Sequence, residues 1–108
     1  MKEIIIDNNL FKIGENAQDN WNMLDTVNST DIFFHLSSFP SCYVILKCNE
    51  VPDEDMIKIG SGLCKANTKY KNLKNIKVDY CRCDNIEKGD KIGVVVYKSN
   101  KKTKQCFS

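Results

Sequence analysis

The segment Tyr43-Val44-Ile45-Leu46 is an unbroken apolar stretch, and it constrains the fold more than any other part of the chain. A strand that is apolar on both faces must be covered on both, so it belongs in the middle of a sheet with layers above and below. The stretch before it supports this reading. In Asp31-Ile32-Phe33-Phe34-His35-Leu36 the alternation sends Ile32, Phe34 and Leu36 toward a core, while Asp31, Phe33 and His35 point the other way. Two roles are open for Phe33: an exposed stacking platform, or a core residue of a second layer. The intervening Ser37 to Ser41, with Pro40, reads as a turn.

The remaining elements follow from shorter signals. Lys2 to Asp7 reads as a β-branched strand, Asn8-Asn9 as a turn, and Leu10 to Ile13 as the returning strand, ending at Gly14. Asn16 is placed to cap a short helix, about 17–25, with Asp19 complementing its free N–H groups. Ala17, Trp21 and Leu24 share one face of that helix, with Trp21 as its core anchor. Pro52-Asp53 opens the main helix, about 53–70, with Asp53 as cap and Glu54 and Asp55 in the positive first turn. Met56, Ile59, Gly60, Leu63 and then Ala66 or Asn67 form its apolar stripe, and Gly60 and Gly62 are expected to allow close approach to the sheet. Three strands complete the chain: Ile76 to Cys83, Lys91 to Tyr97 after a turn at Lys88-Gly89-Asp90, and Thr103 to Phe107. The expected class is α+β: a mixed, mainly antiparallel sheet with one main and one short helix, in a single domain over 1–108.

Charge is sorted along the chain. Residues 1–55 hold ten acids and three lysines, whereas residues 56–108 hold thirteen basic residues and four acids. Lysine abundance alone says little, because Lys, Asn and Ile make up 38 of 108 residues, the bias of an AT-rich genome such as those of some large DNA viruses or protists. Such a bias has no reason to separate charge by half, and a segregated basic surface is the footprint of a phosphate-binding protein. Lys58, Lys65 and Lys69 fall on one exposed face of the main helix, with Lys71 beyond them. Lys101, Lys102 and Lys104 mark a lysine-rich hairpin over 98–104, and Arg82 is the one arginine. These eight are the candidate nucleic-acid contacts.

Enzymatic chemistry finds little footing. The one histidine, His35, shares a strand face with Asp31, but residues four apart in a strand lie ~13 Å apart, beyond a direct hydrogen bond. There is no phosphate loop and no nucleophile elbow. The six cysteines contain no C-x-x-C and read as reduced, semi-apolar side chains, with a zinc site or a disulfide as the lesser alternative. No metal or cofactor is expected. The apolar run Ile4-Ile5-Ile6 is too short for a signal sequence and nothing approaches a membrane span, so the expected address is the cytoplasm, with the nucleus second.

Several segments, taken in order, carry a resemblance. These are Gly14-Glu15-Asn16 with Asn20 and Leu24, Asp31-Ile32-Phe33-Phe34-His35, Pro40 to Leu46, Leu63 to Thr68, Lys77 to Tyr80, Asn85 to Lys88, and Gly93 to Val96. Over roughly Ile13 to Cys106 the chain resembles the NFACT-R family. That family is the RNA-binding domain of ribosome-associated quality-control proteins that also carry fibronectin-binding-type N-terminal modules. The end of the main helix is similar to the eukaryotic branch joined to a coiled coil, although here a solitary domain is expected. The resemblance makes Gly14, Asn16, Asp31, Phe33, Phe34, His35, Tyr43 and Asn67 motif positions. Phe33 stands where the family has Trp, Tyr43 where it has His, and Ser41 where it has Gly. What the resemblance implies is contact with RNA in a ribosome or tRNA setting, without catalysis. A DNA-binding module and an adaptor docking on a ribosomal or membrane partner through the acidic half are the alternatives.

Overall fold

The computed structural model of the chain describes residues 1–37 and 39–108. Among the described residues, eight strands and two α-helices follow in the order β1 (Lys2–Ile6), β2 (Asn9–Ile13), α1 (Ala17–Leu24), β3 (Ile32–Leu36), β4 (Val44–Leu46), α2 (Glu54–Ala66), β5 (Lys77–Arg82), β6 (Ile86–Lys88), β7 (Val95–Tyr97) and β8 (Lys104–Phe107). Six strands form one sheet in the order β1-β2-β4-β3-β5-β8, and β6 and β7 form a separate hairpin. Every pairing is antiparallel. The α+β class and the mainly antiparallel sheet therefore hold.

β4 sits between β2 and β3, where its apolar sequence placed it, and Tyr43 through Leu46 are fully buried. The pleat divides the core in two. Ile32, Phe34, Leu36, Val44, Leu46 and Val78 meet Ile57 and Cys64 of α2 on one face. Phe33, Tyr43, Ile45 and Cys81 meet Met23 of α1 and Ile86 of the β6–β7 hairpin on the other. Phe33, fully buried there, is a core residue and offers no exposed platform.

Several expectations need correction. The first turn is Asp7-Asn8, both at positive φ, which is the two-residue arrangement that matches strand twist; Asn9 already belongs to β2. Asp31 lies just before β3: its carboxylate accepts from the amides of Asn28 and Cys48, while its carbonyl still accepts from the Cys83 amide at 2.7 Å. On α1 the buried residues are Asn20 and Met23, while Ala17 is exposed and Trp21 half-buried, its Nε1 donating to the Val94 carbonyl at 3.0 Å. α2 ends at Ala66 because Asn67 Nδ2 and Thr68 Oγ1 take the carbonyls of Leu63 and Lys65, each at 2.8 Å. Its buried stripe is Ile57, Gly60, Ser61 and Cys64, turned from the expected one, with Met56, Ile59 and Leu63 at its margin. The expected strand over 91–97 shrinks to Val95–Tyr97, paired with the unforeseen β6. Residues 98–104 join the small hairpin to the large sheet through a 3₁₀ turn at Asn100–Lys102, so they are a crossing and not a hairpin. The expected turn over Ser37 to Ser41 includes Ser38, which lies outside the described residues.

Candidate functional site

The sheet order turns the charge split into a spatial one. Strands from residues 1–55 fill four adjacent places, and the two from the basic half, β5 and β8, occupy one edge. Beside that edge an open groove of about 1010 Å³ runs between the first half of α2 and the β7–β8 crossing. Lys58 of α2, Arg82 of β5, Lys101 and Lys102 of the 3₁₀ turn and Lys104 of β8 all line it, and all five are exposed. Tyr80 lies in the floor, opposite Lys104 in the β5–β8 register, its ring 6.0 Å from that of Phe34. Partial burial raises the Tyr80 phenol above its ordinary range, so it stays a neutral donor at pH 7. Glu50, Glu54 and Asp84 are the acids on the same lining, and Asp84 holds Arg82 at 2.9 Å in an exposed pair. The surface can therefore take phosphate by flexible ammonium groups beside a phenol ring, with the lining acids limiting the net attraction.

The other three basic candidates stand elsewhere. Lys65 is half-buried near the end of α2. Lys69 and Lys71 lie past the helix, so the expected ridge of Lys58, Lys65 and Lys69 does not exist as one helical face. Lys69 Nζ instead sits 5.4 Å above the Tyr70 ring, which packs on Phe39 at 4.3 Å.

Four of the eight motif positions gather at the opposite end of β3. Gly14, Asn16, His35 and Asn67 all border a second cleft, of about 890 Å³, together with Lys2, Asn20, Cys42, Asp79 and Tyr97. Most of them are already committed to the fold. A Cβ at Gly14 would lie 1.8 Å from Asn20 Oδ1, which accepts the Tyr43 amide, and Gly14 N donates to the Tyr43 carbonyl at 3.0 Å. Asn16 caps α1 through the Asp19 amide at 2.8 Å. Asn67 caps α2 and accepts from Lys2 Nζ at 3.3 Å. Phe34 is core, and the Tyr43 hydroxyl, its pKa pushed up to about 12 by burial, donates to the Gly93 carbonyl. Asp31 is 1% exposed and accepts from the amides of Asn28 and Cys48 and from the Lys47 ammonium.

His35 keeps an uncommitted face. Half-buried, it stacks against Phe33 at 6.2 Å and meets the edge of Tyr43 at 5.5 Å. Its acidic neighbour is Asp79, directly opposite on β5, not Asp31. Burial lowers the His35 pKa, with Leu36 and Asp79 acting the other way, so the ring is neutral at pH 7. Asp79 accepts from Tyr97 Oη at 3.3 Å and Gln105 Nε2 at 3.1 Å, and burial and that carboxylate raise the Tyr97 phenol. Asp79, Tyr97 and Tyr80 were not anticipated. Asp79 stands on the opposite strand face from Val78 and Tyr80, a signal that gains meaning only with the β3–β5 register.

No protein-family model matches the chain, and no curated protein matches it. Among solved structures, the chain is similar to the C-terminal of the fibronectin/fibrinogen-binding protein from Streptococcus suis, with a TM-score of 0.85 at 19% identity. The likeness covers 97% of this chain and 43% of that one, so the chain spans less than half of that structure's length. It is a likeness of fold.

Proposed function

We propose that this chain is a nucleic-acid-binding module, for RNA before DNA, that grips the phosphate backbone in the groove beside β5 and β8 and catalyses no reaction. One observation carries the reading: five exposed basic side chains from α2, β5, the 3₁₀ turn and β8 line the same groove around Tyr80. Lysines on phosphate supply affinity without choosing sequence, and the phenol ring adds a face on which an unpaired base stacks. The resemblance to the NFACT-R family favours RNA, in a ribosome or tRNA setting. Its motif residues act in this reading as scaffold, and the groove residues make the contacts.

Titration of a labelled single-stranded RNA against added salt tests this. Four to five phosphate contacts correspond to a slope of log K against log salt of about −3. Replacing Lys101, Lys102 and Lys104 with Glu should abolish measurable binding at physiological salt with the fold intact, whereas Lys65→Glu with Lys69→Glu should act weakly. Equal affinity in the first variant overturns the reading. A duplex DNA bound as tightly as the RNA would make DNA the ligand.

A second reading has an observation of its own. Ile92, Val94 and Val96 are exposed on the small hairpin, an apolar surface that a protein partner would cover, and the streptococcal protein of like fold is named for binding fibronectin and fibrinogen. A partner retained after nuclease treatment and high salt would favour an adaptor role, on this hairpin and not through the acidic half.

A further inference from the structure

The six cysteines differ sharply in their settings. Cys81 and Cys83 are packed in the core beneath the hairpin, where burial pushes both thiols up, Cys81 to about 11. Cys48 and Cys106 each turn to a nearby carbonyl, of Glu50 and of Phe107. Cys42 and Cys64 face each other. They are 22 residues apart in sequence, one leading into β4 and the other in the last turns of α2. The Cys42 thiol donates to the Cys64 carbonyl at 3.7 Å, and the Cys64 thiol donates to the Cys42 carbonyl at 3.5 Å. Ser41 Oγ lies 3.8 Å from the Cys64 sulfur. The two are unequally open to reagents: Cys64 is 0% exposed, whereas Cys42 is half-buried and borders the motif cleft.

We propose that Cys42 and Cys64 are a peroxide-responsive thiol pair, in which Cys42 is oxidised first and Cys64 closes the disulfide. The Cys42 thiol gives up its proton and the thiolate attacks one oxygen of hydrogen peroxide; an S–O bond forms, the O–O bond breaks, and the hydroxide that leaves takes up that proton as water. The Cys64 sulfur then attacks the Cys42 sulfur, forming the S–S bond and breaking the S–O bond, and the hydroxyl leaves as water with the Cys64 proton. The two sulfurs together give up two electrons, and the peroxide takes them as two molecules of water.

The surroundings suit this order of events. A hydrogen bond between the two side chains, with Cys64 as donor to the Cys42 sulfur, and the Lys2 ammonium hold the Cys42 thiol below its ordinary range, against burial, while the same hydrogen bond and burial hold Cys64 above it. The reactive sulfur is thus the one that faces the cleft. The resolving sulfur is shielded from solvent and already in contact with its partner residue, so disulfide formation outruns further oxidation of Cys42. The bond would tie the last turns of α2 to the entrance of β4, and it requires nothing of the basic groove.

Peptide mapping of the full chain after hydrogen peroxide and alkylation tests the proposal. The expected product has lost two hydrogens in mass, carries a Cys42–Cys64 linked peptide, and leaves the other four cysteines alkylated. Closing the 22-residue loop should raise Tm by roughly 10 °C, reversibly with a reductant. Cys42→Ser should leave Cys64 reduced and alkylatable after unfolding, with no peroxide-dependent rise in Tm. Both thiols remaining free, a disulfide joining other cysteines, or Cys42 running on to sulfinic acid with Cys64 untouched would each overturn it. So would a disulfide at Cys64 in the Cys42→Ser protein.

Discussion

Asp31 and His35 are the two residues most open to a catalytic reading, and their surroundings send them in different directions. Asp31 gathers two amides and an ammonium, tying the loop after α1 to the exit of β4 at Lys47 and Cys48. Removing a buried carboxylate strands those donors, so Asp31→Ala should lower unfolding free energy by about 3 kcal/mol in a denaturant titration. His35 has no such commitment, and its titration is legible in stability. Its folded pKa lies below the ordinary 6.5, so the unfolded chain binds the proton more tightly. The contribution of the neutral ring is complete above pH 6.5 and declines as pH falls from there through the depressed value. Asp79, Tyr97 and Tyr43 face the ring, and Asp79 limits the shift. Thermal melts across that window should show a slope with pH that His35→Gln flattens.

At the scale of elements, the two glycines of α2 make a controlled comparison. A Cβ at Gly60 would come within 2.4 Å of the Phe34 ring, while at Gly62 nothing lies within 4 Å. Gly60→Ala should therefore destabilise by about 1–3 kcal/mol through overpacking. Gly62→Ala should stabilise by roughly 0.5–1 kcal/mol through lower backbone entropy in the unfolded chain. Both were expected to allow close approach to the sheet, and only Gly60, the one on the apolar stripe, does, because helical spacing does not say how near a strand will come. The same limit explains the other misreadings. β4 and the caps at Asn16 and Asp53 were legible because each depends on a few adjacent residues. The rotation of the α2 stripe toward Ile57 and Cys64 was not, since Met56 and Ile59 are equally apolar and only the packing of the sheet decides. Lys69 was misplaced because the helix stops where two polar side chains capture its carbonyls, a local competition that charge periodicity cannot register. The groove was half legible: its lysines were visible as a basic segment, but their meeting with Lys58 depends on β8 pairing with β5.

Across the whole molecule, the acids nearest the groove and those farthest from it should behave differently. β1 and β8 are opposite edges of a six-stranded sheet, which at about 4.8 Å per strand separates them by roughly 24 Å, about three screening lengths at physiological salt. Glu3 and Asp7, at the β1 edge, are therefore too distant to repel a phosphate bound beside β8. Glu50 and Glu54 line the groove itself. Neutralising them as Glu50→Gln with Glu54→Gln should raise RNA affinity roughly threefold, the size expected of exposed like charges a few ångströms from a ligand. Glu3→Gln with Asp7→Asn should leave it unchanged. Glu54 also sits in the positive first turn of α2, so the groove variant should lose about 0.5 kcal/mol of stability while it gains affinity. Opposite signs in the two measurements separate a local electrostatic brake on binding from a change in fold. An equal gain from the distant pair would mean that the ligand lies nearer the β1 edge than the basic groove.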